Sequence, residues 1–371
     1  DFSVAGSATA GSDFTQVTSS PVTIPAGQTT TSVEFTVDDD SDLESSETIE
    51  VTINDNATTE PQVGTPATFT YTIIDNDGLS ATGPGGVGDA ESNVIWFRGD
   101  AGVTTSGGSV TDWLDQSGNG RTVNQSTGAQ QPAFESGSPD FNGRPVLQFD
   151  GSDDVLSSVG TLDLTSGYTI FVVAQNQNRK DYNGLFRVAP TVANTESYME
   201  LYWQKGTTDT GSGNLVTAGN RDIDFRFDKT NDASPSVGTS YLATARIGPG
   251  DTDATRYING GVQGVDQAQG SGTQVPSAAG NFYVGIGFGS PDGELDGRMA
   301  ETIVYNQDLN TTLRTLVENY LSAKYDITLT GTDVYAGDTG ASGDYDRGVF
   351  GIGREGASDF HVAAETDGLR F

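Results

Sequence analysis

The sequence predicts an all-β protein of 371 residues with one helix late in the chain. Three observations predict it. Short runs of β-branched and aromatic residues alternate with Gly, Pro, Asn and Asp turns. Within these runs apolar residues recur at every second position, as a half-buried strand requires; Val33, Phe35 and Val37 share one face of residues 31–37. Three-and-four spacing stands out in one place, at Leu313, Leu316, Val317, Tyr320 and Leu321, with Asn310 placed as N-cap.

The first domain spans residues 1–77. Residues 22–24, 31–37, 48–53 and 69–74 read as its strands, with a turn at Pro25-Ala26-Gly27. Acidic clusters punctuate it: Asp13, then Asp38, Asp39 and Asp40 with Glu44 and Glu47, then Asp75-Asn76-Asp77. Ca²⁺ needs six to eight oxygens at one point, and no single short loop here supplies them. Loops distant in sequence meet at one end of a β-sandwich, which would gather them. Converging carboxylates repel unless a cation neutralises them or their pKa values rise. The alternative is a solvated acidic loop that keeps the protein soluble.

Residues 78–89 read as a Gly-rich linker. Residues 90–328 form a second, larger domain, with strands expected at 94–97, 146–149, 170–174, 199–203, 225–227, 241–246 and 282–286. Arg256-Tyr257-Ile258-Asn259-Gly260 followed by Val262 reads as a hairpin around a type I′ turn. Residues 329–371 read as the start of a further β module, stopping in a strand at Phe371.

Charge narrows the function. Fifty-one Asp and Glu stand against 18 Lys and Arg, a formal net charge of −33. That balance argues against nucleic acid, whose phosphates demand Lys and Arg, and against anionic membrane surfaces. It suits a surface bathed in divalent ions or a salty medium. With no Cys there is no disulfide framework, and calcium is the expected staple. His361 stands alone, so zinc and Ser-His-Asp chemistry lack support. No phosphate-cradling glycine motif precedes a helix. No signal peptide, membrane-spanning run or lipidation motif is visible. The expected setting is extracellular or cell-surface, with the chain mature or a piece of a longer one.

Two resemblances sharpen these expectations. Ala8-Thr9-Ala10-Gly11-Ser12-Asp13-Phe14, the Pro25-Ala26-Gly27 turn, the acidic run to Glu47-Thr48, and Thr72-Ile73-Ile74-Asp75-Asn76-Asp77 resemble a Calx-beta domain. The resemblance implies an immunoglobulin-like β-sandwich with Asp13, Asp38, Asp39, Asp40, Glu44, Glu47, Asp75 and Asp77 lining a calcium site. Family members begin with two further strands; Asp1-Phe2 falls where the third would be, so the chain reads as cut from something longer or completed by strand addition. Residues 113–120 (WLDQSGNG), 145–154 (PVLQFDGSDD), 297–305 (GRMAETIVY) and 317–325 (VENYLSAKY) resemble a laminin-G-like, concanavalin A-like jelly roll of large bacterial surface proteins.

Within that jelly roll, Asp115 and Asn119 could belong to a calcium loop, although Asn-Gly alone suffices for a turn. Asp150-Gly151 suits a turn, leaving Asp153 and Asp154 to reach a rim ion or a glycan hydroxyl. Glu294, Asp296 and Glu301 mimic the paired carboxylates of glycoside hydrolases, but Glu301 sits at odd spacing and would point away unless Gly297 were a bulge. Trp203 ends a strand near a loop and could stack on a sugar, with burial in the core as the alternative. The expectation is a non-enzymatic segment of a secreted or cell-surface bacterial adhesin: a calcium-stiffened spacer, then a jelly roll for a glycan or protein ligand, flanked by neighbouring domains of one long polypeptide. A fibre subunit assembled by strand exchange is the alternative, and a glycan-cleaving enzyme a third.

Overall fold

A computed structural model describes residues 1–38, 47–54, 67–73, 83–178, 180, 182–190, 198–205, 213–220, 226–230, 235–263, 265–269, 272–287, 293–334, 348–354, 360–366 and 369–370. The chain is all-β with one α-helix among these residues, and it divides into two compact units at Leu79/Ser80.

The smaller unit contains β1 (Phe2–Ala5), β2 (Phe14–Gln16), β3 (Phe35–Val37), β4 (Glu47–Ile53) and β5 (Thr68–Ile73). One antiparallel sheet runs β1-β4-β5 and a second joins β2 to β3. Phe14 and Phe35 meet edge to face at 5.7 Å, and Ile49 is fully buried. Residues 22–24 do not form the expected strand, and Ile24 is half exposed.

In the larger unit, eighteen strands among the described residues link edge to edge into one antiparallel network. Its centre is Tyr168–Asn176, paired with Ser240–Ile247 on one side and Asp296–Tyr305 on the other. Asp296–Tyr305 then splits its free edge, its first half pairing with Arg144–Asp150 and its second with β6 (Asn93–Arg98). A facing layer runs from Leu156–Leu162 through Gly280–Val284, Asn183–Ala189 and Met199–Lys205 to Gly213–Gly219. Phe97, Trp113, Phe149, Ile170, Leu185, Leu201, Phe282 and Val304 fill one core between the layers. This is a jelly-roll-like architecture. The hairpin at Asn259-Gly260 has positive φ at both central residues, as a type I′ turn demands.

The helix α1 (Thr311–Tyr325) forms where the spacing placed it, with the Asn310 carboxamide accepting the Leu313 N–H at 3.0 Å. Residues 83–89 are not a free linker. Val87 is fully buried, its carbonyl accepts the Tyr305 hydroxyl at 2.9 Å, and Gly85 lies so close to Tyr320 that a Cβ would meet it at 3.0 Å. Beyond the helix, Leu329 is buried and Thr332 donates to Glu318, so the chain up to Val334 folds back on the larger unit. Gly348–Arg354, Phe360–Thr366 and Leu369–Arg370 make a separate three-stranded sheet.

Candidate functional site at the rim of the larger unit

The rim site is built where strand Arg144–Asp150 ends. Asp150 starts a tight turn in which its side chain accepts the Ser152 N–H at 2.8 Å, and its own N–H donates to the Asp154 carboxylate at 2.9 Å. The turn thus folds its acids together: Asp150, Asp153 and Asp154 each place an oxygen within 4.8 Å of the other two. Asp154 is buried while Asp150 is exposed. Burial, helped by the charges of Asp150 and Asp153 and opposed by the Asp150 N–H, pushes the Asp154 carboxyl up to about 6.

Residues from two other stretches of the chain, 178–183 and 294–296, close on this turn. Asp296 lies opposite Asp150 in register and accepts the Asn178 amide at 2.9 Å. The Lys180 ammonium donates to the Gly151 carbonyl and to the Glu294 carbonyl, and stands 3.8 Å from the Glu294 carboxylate. Asn183 holds the strand start by accepting the Asp296 N–H at 3.0 Å. The donor set is all oxygen, with no thiolate or imidazole, which fits a hard cation such as Ca²⁺ and not zinc.

The other sequence candidates fall elsewhere. Both Asp115 oxygens are occupied by protein donors: the N–H groups of Trp96, Ser117 and Arg121 and the Ser117 hydroxyl. Asn119 spends its amide on the Ala90 and Asn93 carbonyls. This loop is a turn tied to β6, not a calcium loop. Trp203 is 3% exposed and packs edge to face on Tyr241 at 5.2 Å, so it is core and not a sugar platform. Glu301 lies beneath α1, accepting from Trp96 Nε1 at 2.6 Å, Tyr325 at 2.7 Å and Lys324 at 2.7 Å. The bulge in its strand falls between Met299 and Glu301, not at Gly297.

Of the first-domain acids, Asp13 is buried and accepts the Thr9 N–H, while Asp38 accepts the Thr15 hydroxyl at 2.8 Å and donates its N–H to the Asp13 carbonyl at 3.1 Å. Glu47 opens β4. Asp39, Asp40, Glu44, Asp75 and Asp77 lie outside the described residues. Among the described residues, Asp150, Asp153 and Asp154 are the one acidic group close enough to share an ion. Sequence reasoning named Asp153 and Asp154 but missed Lys180 and Asn178, whose only signal was a polar loop between two strong strands.

No family model and no curated protein matches this chain. Solved structures similar to it include Trypanosoma rangeli sialidase, 14% identical with a TM-score of 0.41 over 67% of this chain and 36% of that one. Domain 4 of AbnA, a GH43 extracellular arabinanase from Geobacillus stearothermophilus solved with arabinotriose, is 13% identical with a TM-score of 0.40, covering 61% of this chain and 97% of that one. An arabinofuranosidase complexed with arabinofuranosyl-α-1,2-xylobiose is 15% identical at a TM-score of 0.44, over 58% and 51%. The chain spans about a third of the length of the sialidases. These likenesses are of architecture. These neighbours are glycoside hydrolases and a module of one, where the sequence predicts a non-enzymatic adhesin segment or a strand-exchange fibre; neither expectation is carried further.

Proposed function

We propose that the larger unit is a carbohydrate-handling domain that takes a glycan at the Asp150–Asp154 rim, with Ca²⁺ bridging carboxylates and sugar hydroxyls. One observation carries this reading: three carboxylates from a single turn lie within 4.8 Å of one another, beside the polar side chains of Asn178 and Lys180. Ca²⁺ takes six to eight oxygens, so three carboxylates leave coordination positions for hydroxyls or water. Extracellular modules bind calcium at about 10⁻⁴–10⁻³ M, and a secreted or surface setting would supply it. The jelly roll is read as laminin-G-like. The smaller unit is read as an immunoglobulin-like sandwich of the Calx-beta type, supported by its two small sheets and the Phe14–Phe35 contact.

The test is calorimetric titration of the full chain with Ca²⁺, then with arabinotriose and xylobiose in calcium and in EDTA. Calcium is expected to raise the melting temperature, by ~2.7 kcal/mol of stability at a hundredfold excess over Kd. Sugar binding is expected only in calcium, and Asp153→Asn should abolish both responses. Unchanged melting in calcium at about 0.1 M, a hundredfold above the weaker of those affinity limits, would overturn the reading. A reducing-end assay on the same mixtures divides binding from cleavage.

A further inference from the structure

A second surface, in the smaller unit, goes beyond the carbohydrate reading. β5 pairs with β4 along one edge, and among the described residues no strand pairs with its other edge. Its period-two face carries Phe69, 68% exposed, and Tyr71, 52% exposed, where a sandwich would bury them. These two rings, with Phe35 and Val37 from β3, Val33 just before it and Val51 of β4, line an open groove of about 510 Å³. Ligand pockets run from ~300 to ~1,000 Å³. A free strand edge bordering an apolar groove presents backbone N–H and C=O groups together with side-chain pockets, the two requirements for adding a strand.

Charge selects the occupant. Residues 1–79 hold nine Asp and five Glu and not one Lys, Arg or His. Glu34 lies at the groove itself. A second copy of the chain would bring another fourteen negative charges to the same place, and an acidic peptide would be repelled likewise. An uncharged apolar strand would fill the groove but leave that field unanswered. We infer that the groove between β3 and β5 docks an extended segment of a partner protein that alternates apolar residues with Lys or Arg. The apolar positions enter beside Phe69 and Tyr71, the backbone pairs with β5, and the cations face the acidic surround.

Three strand-length synthetic peptides test this against the full chain by fluorescence polarisation at 0.15 M NaCl. One alternates Val with Lys, one alternates Val with Glu, and one alternates Ser with Lys. The Val/Lys peptide is expected to bind at least about tenfold more tightly than either other, and to slow amide exchange across Thr68–Ile73. Phe69→Asp and, separately, Tyr71→Lys should each weaken it about tenfold, and their exposure in the native unit lets both variants fold. Equal binding of the Ser/Lys peptide would reduce the effect to bulk charge and overturn the groove. Absence of binding by the Val/Lys peptide, or protection of β5 that rises with the chain's own concentration, would overturn the proposed partner.

Discussion

Gly151 carries the rim. Its φ is +74°, and a Cβ there would stand 2.6 Å from the Cβ of Asp296, which is fixed opposite Asp150 by strand pairing. A methyl group must therefore push the turn off the strand and spread the three carboxylates. Gly151→Ala is expected to cost about 1–3 kcal/mol in urea unfolding, and to reduce the calcium response more than its stability loss accounts for. The sequence disclosed Asp153 and Asp154 because acids after a Gly turn advertise themselves. Asp150 read only as a turn former, and Asn178, Lys180 and Glu294 could not be joined to it. Their partners lie up to 118 positions away, and nothing local in a polar loop states which strand end it will meet.

At the scale of the element, α1 shows what spacing reveals and what it hides. The apolar stripe predicted the helix and its N-cap, but it gives no sign that Lys324, Arg314 and Glu318 are buried as well. Lys324 reaches both Glu301 at 2.7 Å and Asp100 at 3.2 Å, while Arg98 grips Asp100 at 3.0 Å. Removing Lys324 leaves the Glu301 carboxylate buried without its cation, so Lys324→Met is expected to destabilise the larger unit by about 3–5 kcal/mol. Burial opposes ionisation of Asp100, but the Lys324 and Arg98 charges outweigh it and hold the carboxyl down at about 2. A carboxyl depressed on folding stabilises above its unfolded pKa, 3.8, and loses that contribution as pH falls toward 2. The contribution is about 2 kcal/mol, and Asp100→Asn should flatten the acid limb of the stability curve between those limits.

At the scale of the whole molecule, the alternating pattern and turn signals made the all-β class readable, because period-two burial is a local property. The domain edges were less readable. The Gly-rich run before Asp89 looks like a tether by composition, yet Val87 is core, since glycines also serve close approach of backbone to a helix. Charge, by contrast, can be apportioned from sequence once the boundary at Leu79/Ser80 is known. Residues 1–79 carry fourteen of the 51 acids and none of the 18 basic residues, a net charge of −14 over 79 residues. The remaining 37 acids offset by 18 bases leave −19 over residues 80–371. Charge per residue is therefore more than twice as dense in the smaller unit, which also has two small sheets and fewer buried side chains. Self-repulsion falls as the Debye length shrinks from ~30 Å at 0.01 M to ~3 Å at 1 M salt. Differential scanning calorimetry across that range is expected to show a lower transition that climbs steeply with NaCl and an upper one that moves little. Calcium should raise the lower transition at concentrations where sodium has no effect if the acids of this unit gather at one point. Parallel responses to matched ionic strength would mean that they are spread over its surface.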